Sequence, residues 1–209
     1  MSSKLYKFRN IDKHAIDILV NRRLFLSSWE NLNDPHEAKM YVKTKGLISY
    51  HMNPRSLKEE GILDELPVVR VCSLSSSCSS NLLWSHYASG QTGIAIGLEL
   101  PENLSEIVKI KVEYDDKIPV FSVPITRNCI LTALTHKSSE WHYEKEIRLI
   151  SFDEKRCFID DIKITDVIFG LRTSRPDIDL VKKVLKGNSI GYWKTCHKAG
   201  TYKLDLSDT

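Results

Sequence analysis

The order in which strand-like and helix-like segments follow one another constrains this chain most. Leu5-Tyr-Lys-Phe-Arg9 alternates as a short strand, and Asp12 then caps a helix with Ala15, Ile16, Leu19 and Val20 on one apolar face. Leu24-Phe25-Leu26 is extended again. The Asn31-Leu-Asn-Asp-Pro35 cluster predicts a loop, because these side chains bond to nearby backbone and proline fixes its own φ. Residues 36–65 read as irregular and helical connection broken at Asn53-Pro54 and Gly61. A buried strand over 66–75, a serine-rich turn through Ser80 and a helix over 81–88 closed by Gly90 come next. Strands are predicted over 92–100, 107–114, 147–152 and 164–169, with a helix over 124–137 that turns Ile125, Cys129, Leu131 and Leu134 inward. Ser174-Arg-Pro176 opens a helix to Gly187 with Ile178, Val181 and Leu185 inside, and 193–206 adds one last edge strand. The strands neither alternate regularly with helices nor gather in one block, so the class is α+β with a mixed, mainly antiparallel sheet and flanking helices. With 42% hydrophobic residues and no linker or repeat, residues 1–209 are expected to form a single domain.

Charge narrows the partners. Thirty basic residues against 27 acidic ones are interspersed, so there is no strong nucleic-acid signal. No segment approaches the ~20 apolar residues of a membrane span, and the N-terminus lacks a signal-like apolar run, which predicts a cytoplasmic protein without a membrane partner. The five cysteines form no Cys-x-x-Cys pair and are expected as free thiols. Gly-x-Gly-x-x-Gly, Gly-Lys-Ser/Thr and Gly-x-Ser-x-Gly signatures are all missing, which disfavours Rossmann, P-loop and common hydrolase readings.

Three segments could carry chemistry. In Trp141-His-Tyr-Glu-Lys-Glu-Ile-Arg148, strand geometry from Glu144 onward would put Glu144, Glu146 and Arg148 on one face. Paired carboxylates raise each other's proton affinity while the guanidinium lowers it, although a solvated face with an internal salt bridge has the same spacing. Trp84-Ser-His-Tyr87 follows hydroxyl-rich sequence at a helix N-terminus, a seat for phosphate, and His86 is either a base or a packed histidine. Arg9 falls where the first strand ends, and its fork suits phosphate. His36 and Glu37 lack a second pair of metal ligands, so no metal is expected.

Taken in order, Tyr6-Lys-Phe-Arg9, Leu24-Phe-Leu-Ser-Ser28, Asn33-Asp-Pro35, Cys72-Ser-Leu-Ser75, Leu83-Trp-Ser-His-Tyr-Ala88, Gly93, Trp141-His-Tyr-Glu-Lys-Glu-Ile-Arg148 and Ile168-Phe-Gly-Leu-Arg172 resemble the microbial domain-of-unknown-function family numbered twenty-nine seventy-one. That family more often has an aromatic residue where this chain has His36. A second resemblance is to arginine-serine-glutamate ADP-ribosyltransferases, through Arg9, Ser73-Leu-Ser75 and Glu144-Lys-Glu146 in that order.

The second resemblance implies an ADP-ribosyltransferase-like fold and NAD as substrate. Glu146, Glu144 and Arg148 would be catalytic, and Arg9, Ser73, Ser75, Trp84, His86 and Tyr87 would bind the dinucleotide. Arg9 would hold phosphates, the serines would brace ribose and carboxylate, and Glu146 would stabilise positive charge as nicotinamide leaves. The implied function is an NAD-using transferase or glycohydrolase, as in toxins and defence effectors, with a macromolecular acceptor. The alternative is a non-enzymatic module whose Trp84, His86, Tyr87, Trp141 and Arg148 line a nucleotide or small-ligand pocket. A metal-dependent nuclease using Glu144, Glu146 and His86 comes last, for want of an acidic cluster.

Overall fold

The computed structural model describes residues 4–34, 36–44, 47–51, 53–62 and 68–209. Its scaffold is a nine-stranded sheet with the spatial order Leu204–Asp208, Gly191–His197, Lys163–Phe169, Ile94–Glu99, Leu5–Arg9, Arg70–Ser75, Glu146–Ser151 and Ile107–Lys111, and Ser27–Ser28 beside Arg70–Ser75. Neighbours are antiparallel except Lys163–Phe169 with Gly191–His197, so the class is α+β with a mixed, mostly antiparallel sheet. Among the described residues no helix is long and apolar enough to cross a membrane.

Alternation along the strands sends side chains to two layers. On one face Leu5, Leu74, Ile96 and Leu149 pack against Ala15, Ile18 and Leu19 of helix Lys13–Asn21 and Ile178 and Val181 of helix Arg175–Val184. Side chains start both helices: Asp12 accepts from the His14 and Ala15 N–H groups, and Ser174 from that of Asp177. On the opposite face Phe8, Ala95 and Ile168 pack against Leu83 and Trp84 of helix Asn81–Tyr87. Trp84 is 0% exposed and meets Phe8 edge to face, with ring centroids 5.1 Å apart. Replacing Trp84 with alanine is therefore expected to lower the unfolding free energy by ~3–5 kcal/mol, read as a shift in the urea midpoint. A midpoint equal to wild type would contradict this packing.

One gap in the ladder positions the site. Leu5–Arg9 pairs along its whole length with Ile94–Glu99 but meets Arg70–Ser75 at a single register pair, Tyr6 with Ser75. Beyond that pair the strands part, and the Lys7 ammonium donates to the Ser73 carbonyl at 2.8 Å, supplying a partner that the ladder does not.

Several expectations need correction. The irregular connection at 36–65 contains an antiparallel pair, Met40–Thr44 with Leu47–His51, followed by helix Pro54–Glu59. Asn53-Pro54 starts that helix rather than breaking it, with Asn53 as cap and proline in the first turn. Pro35 and residues 63–67 lie outside the described residues. The helix expected over 124–137 spans only Arg127–Ala133, and His136–Lys137 instead forms a short parallel pair with Glu113–Tyr114. The last edge strand is two strands, Gly191–His197 and Leu204–Asp208, of which the second forms the edge.

Candidate functional site

The parting of Leu5–Arg9 from Arg70–Ser75 opens a cleft of about 400 Å³. Along its wall stand Arg9, Ser73, Ser75, Tyr87, Glu144, Glu146 and Arg148, so seven of the nine residues singled out in the sequence meet there. Alternation puts Arg9 on the face of Leu5, and Ser75 and Glu146 on the face of Tyr6. They share a cleft because the sheet is open between the two strands. Among the described residues Arg9 Nε is buried without a hydrogen-bond partner, a donor left over for a ligand.

Glu146 and Arg148 share a strand face, as period two requires, opposite Ser75 and Ser73. Glu144 arrives differently. It ends the 3-10 turn Ser139–Glu144, and Lys145, in the left-handed region at φ 45°, breaks the alternation before the strand begins. The Ser75 hydroxyl fixes this junction by donating to the Glu144 carbonyl at 2.6 Å.

At the cleft floor the buried side chains of Glu37, Lys137, Glu144, Glu146 and Arg148 form one ionic cluster. Arg148 lies between two carboxylates. It donates from Nε and Nη2 to Glu146 at 2.8 and 3.1 Å, and from Nη1 and Nη2 to Glu37 at 2.7 Å each. A further bond runs from Nη1 to the Leu134 carbonyl. All five guanidinium N–H groups are thus used, and Arg148 has none to offer a substrate. Lys137 Nζ donates to Glu144 at 2.7 Å and lies 3.5 Å from both Glu37 and Glu146, beneath the part-buried Trp141 ring. Tyr87 donates to the other Glu144 oxygen at 2.6 Å and accepts from Asn33 at 2.9 Å.

The electrostatics follow from burial and charge. Burial pushes the Glu146 carboxyl upward, but Arg148, Lys137 and a Ser73 hydrogen bond outweigh it and hold the group at about 2. The Lys137 ammonium is pulled down by burial and raised further by Glu146, Glu37 and Glu144, for a net rise. Tyr87 is pushed up by burial and by the Glu144 carboxylate it serves, so it stays a donor. Three carboxylates against two cations leave the floor one negative charge in excess.

Compared with known proteins, the chain matches no family model, no curated protein and no solved structure.

Two expected site residues fall outside the cleft. On the short helix Asn81–Tyr87, Leu83, Trp84 and Tyr87 face inward while His86 faces out, as a period of 3.6 dictates. Trp84 is core, its indole N–H bonded to the Cys78 carbonyl at 2.8 Å. His86 is exposed, with Nδ1 3.0 Å from the Tyr143 hydroxyl. The expected phosphate seat is also spent locally, since Ser80 accepts from Leu83 N–H and Ser75 from Ser77 N–H. Glu37 and Lys137 are the functional candidates that sequence reasoning missed. Glu37 entered only as half of an unconvincing metal pair, and Lys137 as the end of a helix. No local signal ties either to Arg148 or Glu144.

Proposed function

We propose that the cleft binds an NAD-type dinucleotide and that the chain cleaves it, transferring ADP-ribose to water or to an acceptor. One observation carries the reading: the arginine, serine and glutamate segments lie on three adjacent strands and line one cleft at the point where the first two part. Its volume of about 400 Å³ falls within the ~300–1,000 Å³ of ligand pockets.

The chemistry breaks the bond between ribose C1′ and the nicotinamide nitrogen. Nicotinamide leaves with the electron pair, the nucleophile bonds to C1′, and its proton is released. Arg9 offers to a phosphate its buried Nε, which has no hydrogen-bond partner among the described residues. Ser73 and Ser75 fix Glu146 and the Glu144 backbone. Glu146, ionised throughout the neutral range, favours the positive charge that grows at C1′.

Incubating the protein with NAD and quantifying nicotinamide tests the reading directly. Arg9→Ala is expected to weaken dinucleotide binding by at least about 10-fold in calorimetry, the worth of a charged hydrogen bond. An unchanged affinity would remove Arg9 from the site.

A non-enzymatic nucleotide-binding module remains the second reading. Its support is the complete pairing of Glu144 and Glu146 within the chain, which leaves their carboxylates occupied before any ligand arrives.

A further inference from the structure

We propose that Glu37 is a positioning residue of the reaction, acting on Glu146 through Arg148. This rests on the dinucleotide-cleaving reading above. Glu37 lies 111 positions from Arg148 in sequence and reaches it from the segment after Asn33-Asp34. The local backbone brings it there: Asp34 Oδ1 accepts from His36 N–H at 2.8 Å, and the Asp34 carbonyl accepts from Glu37 N–H at 3.0 Å. The Glu37 carboxylate then takes two guanidinium N–H groups at 2.7 Å each, side by side, on the edge of Arg148 that Glu146 does not fill.

Two consequences follow from that geometry. The first is orientation. A guanidinium held on one edge by Glu37 and at Nη1 by the Leu134 carbonyl cannot rotate, so the Nε and Nη2 donors that grip Glu146 are fixed in direction. The second is charge. With Glu146 as its only carboxylate, Arg148 would cancel the negative charge that the reaction needs. Shared with Glu37, the one positive charge faces two negative ones, and Glu146 keeps a field directed at the cleft. Lys137 lies 3.5 Å from Glu37 Oε1 and Glu146 Oε2, the same oxygens that Arg148 Nη2 holds. Glu37 lines the cleft as well, but both of its carboxylate oxygens are held by Arg148, and through that residue it orients the carboxylate that faces the developing charge.

Glu37→Gln retains one acceptor for Arg148 and leaves two carboxylates against two cations, so the buried charges balance. Turnover of NAD is expected to fall ~10- to 100-fold with KM within about 2-fold of wild type, as for a displaced catalytic group. In a Glu146→Gln background the same change should cost nothing further, because its effect passes through Glu146. A readout without dinucleotide accompanies this one. The urea midpoints of the two single variants and the double variant should be non-additive, since both carboxylates grip one guanidinium.

If Glu37→Gln does not fold, Glu37→Asp serves, withdrawing the charge by one methylene, and a lower kcat at an unchanged midpoint supports the proposal. Wild-type kcat in Glu37→Gln, or equal losses in both backgrounds, would overturn it. Wild-type protein that releases no nicotinamide would sink the dinucleotide reading and with it the catalytic role of Glu37, while the ligand-free cycle would still show whether Glu37 and Glu146 are coupled.

Discussion

Arg148→Met is expected to lower the free energy of unfolding by about 3–5 kcal/mol at pH 7, the cost of removing one partner from a buried ionic group. Methionine fills much of the volume, so the loss is electrostatic rather than a cavity. Glu37 and Glu146 would stay buried with Lys137 at 3.5 Å as their shared cation. The pH dependence gives the cause away. In the wild type the Glu146 carboxyl sits at about 2 in the folded state, below its ordinary 4.5. Its contribution is therefore complete above about 4.5 and is lost as pH falls through about 2. Without the guanidinium that carboxyl rises, and the variant gains a proton earlier on the way down. The difference between wild type and variant should therefore shrink as pH falls below about 4.5 towards 2. Urea unfolding across that range checks it, and a loss independent of pH would mean that Arg148 acts by packing alone.

Glu146→Gln is expected to separate catalysis from binding. Glutamine keeps the shape and an acceptor for Arg148 Nε, and Glu37 still neutralises the guanidinium, so the fold should survive. What disappears is negative charge that matters only as positive charge develops at C1′. Turnover should drop by ~10²-fold or more, while dinucleotide affinity stays within a small factor of wild type. Steady-state kinetics beside calorimetry distinguish the cases. A variant that loses affinity and rate together would make Glu146 a ligand contact instead.

Local rules made part of this molecule readable in advance. Asp12 and Ser174 cap the helices that follow because a cap involves only neighbours within three residues. Glu146 and Arg148 share a face because strand period is local too. Glu144 satisfied the same spacing for the wrong reason. It is delivered by a 3-10 turn and the left-handed Lys145, and its place depends on Ser75, 69 positions away. Met40 and Val42, both buried, alternate along the strand Met40–Thr44, inside a stretch that reads in sequence as irregular and helical connection. His86 looked functional among aromatics, yet on a seven-residue helix it falls opposite Trp84 and faces out. Glu37 and Lys137 were illegible because their meaning exists only after the sheet has brought Arg148 and Glu144 to them. A charge read alone in sequence has a solvated face as its ordinary explanation.

The proposed function places dinucleotide cleavage in the opening between Leu5–Arg9 and Arg70–Ser75. Quantifying nicotinamide released from NAD by wild type and by Glu146→Gln, at equal folded concentration, tests it most directly. Steady release above the protein-free blank is expected from wild type, reduced ~10²-fold or more in the variant with binding retained. Wild-type protein that binds NAD in calorimetry yet releases no nicotinamide, with or without a cell extract as acceptor, would contradict it and leave a binding module in its place.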